Sequence, residues 1–221
     1  MARAGLILAG CGLLDGSDPI EVLCALMALD RVGVEAICFA PHEQQSAVMN
    51  HFTGQISQGE IRNMVFESAR LSLGPVRDIA TAKGEDLDML LVPGGEGVIA
   101  NLTTFRQNGA ECRVNPEAER VLKEAYKFKK PIGAVGKASL LVAAAFRKAA
   151  NIQLKLTMGE DAEAANQFRL MGARHQATEP GGICVDIPDR VVSTPGRLST
   201  GKISIIEKAM ARLVEELLAL M

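Results

Sequence analysis

Tryptophan is absent from the 221-residue chain, tyrosine occurs once, and aromatic residues reach only 4% against 48% hydrophobic residues overall. The core must therefore be aliphatic, built from Ala, Val, Leu, Ile and Met. Histidine is scarce, at three (His42, His51, His175), and no pair of His or Cys has ligand spacing, so neither a metal nor another cofactor is expected. The five cysteines (Cys11, Cys24, Cys38, Cys112, Cys184) are an odd number without a CxxC pair. That argues against a disulfide framework and for a reducing compartment. Neither sign of charge is in excess: a formal net charge of −2 gives no footprint for nucleic acid or an anionic membrane. The longest basic run, Lys127-Phe128-Lys129-Lys130, ends an expected helix, where cations complement the dipole. No apolar run is long enough for a transmembrane helix. The first, residues 4–10, leads into a glycine turn where a signal peptide would carry its cleavage site. A cytoplasmic or other reducing intracellular location is expected, without signal or transit peptide. No repeat, low-complexity tract or linker divides the chain, so residues 1–221 are read as one domain.

What is present is an alternation. Strand-like apolar runs occupy residues 5–9, 34–39, 89–92, 132–135 and 191–194, and helical patterns occupy 19–31, 60–71, 116–128, 138–147 and 202–218. Strands apolar throughout, interleaved with helices, indicate an α/β fold of flavodoxin-like, doubly wound type with a mostly parallel sheet covered on both faces. A further strand is expected at 152–157 and a helix at 159–171, while 172–189 resists assignment. Ligands of such sheets bind beyond the carboxyl ends of the strands. The turns Gly10-Cys11-Gly12, Pro93-Gly94-Gly95 and Gly136 all fall at those ends, which places one pocket.

The run Lys130-Pro131-Ile132-Gly133-Ala134-Val135-Gly136-Lys137-Ala138-Ser139 reads as a strand turning directly into a buried helix. Such an apex adopts φ above zero, and enzymes use it to hold a Ser or Cys nucleophile against the helix N-terminus. Here the apex is Gly136, which has no side chain. After the first strand, Asp18, Pro19 and Glu21 have the spacing of a capping box. The functional reading of Glu21 puts its carboxyl at the strand end, facing the elbow, with a pKa raised by burial. Gly94 and Gly95 could turn backbone N–H groups toward a ligand oxygen. Cys11 could supply a thiolate from the neighbouring turn, or serve only as a small residue there. His175 is the one histidine after the elbow, where a triad would need it, though a solvated loop histidine fits as well. No mechanism suggests itself for His51.

Taken together, these residues resemble the ElbB family (glyoxalase ElbB, or isoprenoid biosynthesis protein with an amidotransferase-like domain) of the PfpI-like class I glutamine amidotransferase-like superfamily. The residues that carry it are Gly10-Cys11-Gly12 with Asp15-Gly16-Ser17, Cys38-Phe39-Ala40-Pro41, Gln45, Val48, Asn50-His51, Gly54 and Arg62-Asn63. Val92-Pro93-Gly94-Gly95, Asn101-Leu102, Glu111-Cys112, Lys130-Pro131-Ile132-Gly133, Leu156-Thr157-Met158-Gly159 and Ser193-Thr194-Pro195 complete the series. The resemblance implies a homodimer, an acid at Glu21, an oxyanion-binding backbone at Gly94 and Gly95, and an elbow cysteine at the position of Gly136. Family members are linked to glyoxalase-type conversion of small dicarbonyls to hydroxy acids, which needs a thiolate. Lys137, Ser139 and Arg197 also depart from the family's pattern.

Three readings stay open at this level. The chain is a pseudoenzyme that binds a small carbonyl or carboxylate ligand, or a protein partner. Alternatively it is a glyoxalase-type enzyme of altered mechanism, using Cys11 as thiolate or Lys137 as a desolvated amine. Or Gly136 records an engineered Cys→Gly change in an active glyoxalase.

Overall fold

The computed structural model describes residues 1–72, 74–149 and 151–221. In chain order the elements are β1 (Arg3–Ile7), α1 (Pro19–Arg31), β2 (Glu35–Ala40), β3 (Met49–Asn50), β4 (Gln55–Ile56), α2 (Met64–Ser72), β5 (Val76–Asp78), β6 (Met89–Val92), α3 (Glu96–Leu102) and α4 (Phe105–Asn108). They continue with α5 (Pro116–Lys127), β7 (Ile132–Val135), α6 (Ala138–Phe146), β8 (Lys155–Leu156), α7 (Ala162–Leu170), β9 (Arg174–His175), β10 (Cys184–Asp186), β11 (Val191–Thr194) and α8 (Ile203–Ala219).

Seven strands form one sheet in the order β10-β11-β7-β6-β1-β2-β5. Every pairing is parallel except β10 against β11. The middle strands β6, β7 and β11 are buried at every position, as expected of a sheet covered on both faces. β10 and β5 are the edge strands, and each has only three residues. The first strand starts two residues earlier than the apolar run, because Arg3 already pairs with Glu35. Its end comes early too: the amide of Leu8 still reaches the Phe39 carbonyl at 2.8 Å, but that of Ala9 turns to Ser17 Oγ.

Local chemistry sets the helix boundaries. Asp18 Oδ1 accepts the Ile20 N–H at 2.9 Å, with Pro19 at the first helical position of α1. Asn115 caps α5 in the same way, again with a proline behind it. All nine residues of α6 are buried, which explains why it is apolar on every side. The long C-terminal helix packs on α1 and on the sheet strands β11 and β7, as its amphipathic pattern predicts. The strand expected at 152–157 shortens to β8, and the unassigned stretch 172–189 supplies β9 and β10. None of the described helices is long and apolar enough to cross a membrane.

Candidate functional site

Three strand-to-helix connections converge at the carboxyl end of the sheet: β1 into α1, β6 into α3, and β7 into α6. The short turn after β11, Gly196–Leu198, joins them. They enclose a small cavity of about 30 Å³ lined by Leu13, Asp18, Glu21, Gly95, Glu96, Gly136, Lys137, Arg197 and Leu198.

Gly136 sits at the apex between β7 and α6 with φ +54°, the left-handed backbone expected of an elbow. A Cβ there would stand 3.4 Å from the Pro195 carbonyl oxygen, 3.5 Å from Leu198 Cγ and 3.6 Å from Glu21 Oε1. A Cβ therefore has room, and the backbone conformation is what resists it.

Glu21 is buried, and its carboxyl is held from two sides. Oε2 accepts the Gly94 N–H at 2.7 Å and Oε1 accepts the Arg197 N–H at 2.8 Å. Burial pushes its pKa up to about 7; the Asp18 charge adds to this, while the two backbone donors and the Arg197 charge oppose it. The capping-box expectation fails at this point. Glu21 does not reach back to the Asp18 N–H, which donates instead to the Gly94 carbonyl at 2.8 Å. Its carboxyl found two other donors across the sheet.

Gly94 also departs from expectation. Its N–H is committed to Glu21 and is not free for a ligand. Gly95 and Lys137 differ from it: among the described residues, neither backbone N–H donates to a protein group. Gly95 has φ +120°, and a Cβ there would lie 2.6 Å from the Asp18 amide nitrogen. Gly95→Ala should therefore lower stability by about 2 kcal/mol, through overpacking against rigid backbone and a forbidden φ. A lower urea midpoint with an unchanged m-value checks this.

The Lys137 ammonium is ion-paired with Glu96, which also meets Arg106 at 3.2 Å, and its side chain is partly exposed. It is not the desolvated amine that carbonyl chemistry would need. Arg197 Nε lies 3.2 Å from Asp18 Oδ2. The sequence marks Arg197 only as a departure from the family's pattern and does not mark Glu96; both reach the cavity through tertiary packing.

Cys11 and His175 are not brought to this cavity. Burial, with Glu67 second, pushes the Cys11 thiol up, away from the thiolate form. His175 stacks on Phe168, and its Nε2 stands 3.4 Å from the Met158 amide as acceptor. Burial holds its pKa below the usual value.

The polar residues of the first turn act as scaffolding. Asn101 Nδ2 donates to the carbonyls of Ala9 and Asp15, both at 2.9 Å, while its Oδ1 accepts the Ser46 amide at 2.8 Å. Gln45 Nε2 donates to the Asp15 carbonyl as well. His51 Nε2 accepts the Leu14 N–H at 3.3 Å, and the Met49 N–H donates to Asp15 Oδ2 at 2.8 Å. Thus pinned, the turn presents the Leu13 carbonyl to the Glu96 N–H at 2.9 Å and Gly16 to Gly97 at 3.0 Å, which seats α3 against the cavity.

No family model matches the chain. It is 36% identical, over an alignment of 228 positions covering 99% of the chain and 83% of the relative, to a human protein named glutamine amidotransferase-like class 1 domain-containing protein 3, mitochondrial. It superposes with a TM-score of 0.90 and 30% identity on the crystal structure of an isoprenoid biosynthesis protein with amidotransferase-like domain from Ehrlichia chaffeensis, over 99% of this chain and 100% of that one. Schizosaccharomyces pombe DJ-1, at 13% identity and TM-score 0.57 over 99% of this chain and 96% of that one, shares the fold alone. The sheet order, the convergent turns and this end-to-end likeness have one reading: the chain belongs to the glutamine amidotransferase-like class 1 domain family.

Proposed function

We propose that this amidotransferase-like protein binds a small carbonyl or carboxylate compound at the elbow and performs no thiol catalysis of its own. One observation carries the reading. The position where the fold would present a nucleophile is Gly136, with left-handed backbone and the Glu21 carboxyl 3.6 Å from where a Cβ would be. An acid and two unclaimed backbone donors surround the place of a missing side chain. Together they can bind and polarise a carbonyl oxygen, but they offer nothing to attack its carbon.

The altered-mechanism alternative gains no support from geometry. Cys11 lies outside the cavity lining with its thiol pushed toward the neutral form, and Lys137 is engaged with Glu96.

The test has two arms. Glyoxal and methylglyoxal incubated with the protein should yield hydroxy acid at the background rate. A screen of small aldehydes, ketones and carboxylates should raise Tm, since a ligand at a hundred times its Kd stabilises by about 2.7 kcal/mol. Robust turnover by the unaltered chain, or a uniformly silent screen, would sink the proposal.

A further inference from the structure

At the mouth of the cavity stands Arg197, anchored from within and free outside. Its Nε lies 3.2 Å from Asp18 Oδ2, and Asp18 itself is 1% exposed. Among the described residues its Nη1 and Nη2 donate to no protein group, while about a third of its side chain meets solvent. A planar guanidinium held at one edge, with two parallel donors at the other, has the geometry that receives a carboxylate bidentately.

The same ion pair carries a second observation. Asp18 Oδ2 is buried in the cavity lining and has no hydrogen-bond donor, although Nε is close enough for an ion pair. The guanidinium plane is thus not yet aligned with its own anchor. A carboxylate gripping the Nη groups would fix that plane and give Oδ2 its donor. Leu13 and Leu198 supply the apolar lining, with Leu198 Cγ 3.5 Å from a Cβ at position 136. Also in the lining are Gly95 and Lys137, whose N–H groups are unclaimed among the described residues, the latter preceding the nine-residue helix α6.

Resting on the reading that the elbow binds a small carbonyl or carboxylate, we infer that the ligand carries both groups: it is a short 2-oxo carboxylate. Its carbonyl oxygen lies on the Gly95 and Lys137 amides, and its carboxylate on Arg197. The whole cavity is about 30 Å³ and Arg197 is part of its lining, so only a ligand of a few heavy atoms reaches both groups. A net-neutral carbonyl compound would leave Arg197 unused, and a simple acid would leave the amides unused.

Three probes of one size separate these cases in titration calorimetry: pyruvate, propionate and hydroxyacetone. Pyruvate should bind at least ~10-fold tighter than either of the others, the worth of one charge-assisted or one carbonyl hydrogen bond. Arg197→Leu would leave Asp18 buried without a counter-charge, so Arg197→Lys is the variant of choice, with circular dichroism as the fold check. It keeps a cation beside Asp18 but loses the fork. Arg197→Lys should weaken pyruvate about 10-fold and leave hydroxyacetone unchanged. Equal binding of pyruvate and propionate, equal binding of pyruvate and hydroxyacetone, or indifference of pyruvate to Arg197→Lys overturns the 2-oxo acid while leaving the elbow as a ligand site. Failure of all three probes to bind overturns both readings together.

Discussion

Gly136→Cys should convert a protein that leaves glyoxal and methylglyoxal at background into one that forms hydroxy acid at least ~10³-fold faster, the scale on which nucleophiles count in acyl- and carbonyl-transfer sites. The proposed site supplies the neighbours on which this expectation rests. A Cβ at position 136 meets its nearest neighbours at 3.4–3.6 Å, ordinary van der Waals contact, so the first atom of a cysteine side chain is accommodated. Glu21 is the nearest titratable group to that point, close enough to exchange a proton with a thiol or with a developing alkoxide. The amides of Gly95 and Lys137 are unclaimed and line the same space. The cost is conformational: a non-glycine residue at φ +54° loses about 1 kcal/mol, so Tm should fall slightly while activity rises. Gly136→Ala carries the same strain without sulfur and is the control. If a thiol at position 136 alkylates readily yet the dicarbonyls remain untouched, the pocket has lost more than one atom. Arg197 and Lys137 would then be the residues to revert next.

The second large effect is on stability against pH. Glu21 has a folded pKa of about 7 against an ordinary 4.5. An acid raised in this way binds more protons in the native state than in the unfolded chain throughout that interval. Below pH 4.5 both states are protonated and Glu21 contributes no pH dependence. As pH rises from 4.5 to 7 the unfolded chain ionises first, and the native state loses about 3 kcal/mol relative to it. Above pH 7 both forms are ionised and the loss is complete. Glu21→Gln should remove this slope. At pH 4.5 native Glu21 is itself a neutral acid with one carbonyl oxygen to accept from Gly94 or Arg197, so the variant stays close to the parent there and gains on it by up to about 3 kcal/mol toward pH 8. Urea denaturation at a series of pH values reads this directly; parallel stability curves for parent and variant would refute the burial argument.

The sequence carried the centre of the fold better than its edges, for a physical reason. β6, β7 and β11 are buried on both faces and had to be apolar throughout, so they stood out. β5 and β10 read Val-Arg-Asp and Cys-Val-Asp, short strands with nothing periodic to mark them. The hairpin of β3 and β4 has two residues in each strand and exists mainly because Asn50 and His51 hold its turn and the glycine loop beside it. At the site, Gly136 was legible because strand, glycine and buried helix follow one another without a gap. Glu21 was half legible: its position was right, but local spacing pointed to a capping box. The donors that captured it, Gly94 and Arg197, lie 73 and 176 residues away along the chain. Glu96 escaped for the same reason, as did the pairing of Asp18 with Arg197, since Lys137 and Arg197 meet these carboxylates only once the sheet is assembled.

The two hydrogen bonds of Glu21 have a consequence for how such a site can age. From α1, one carboxyl ties down the turn after β6 and the turn after β11, and so braces three separate connections of the chain. A residue in that position is needed by the architecture whether or not any reaction passes over it, so its presence says little about whether the protein still works as a catalyst. Position 136 is the reverse: no neighbour leans on a side chain there, and the backbone favours having none. The acid is therefore held in place by the architecture, whereas position 136 makes no such demand on a side chain.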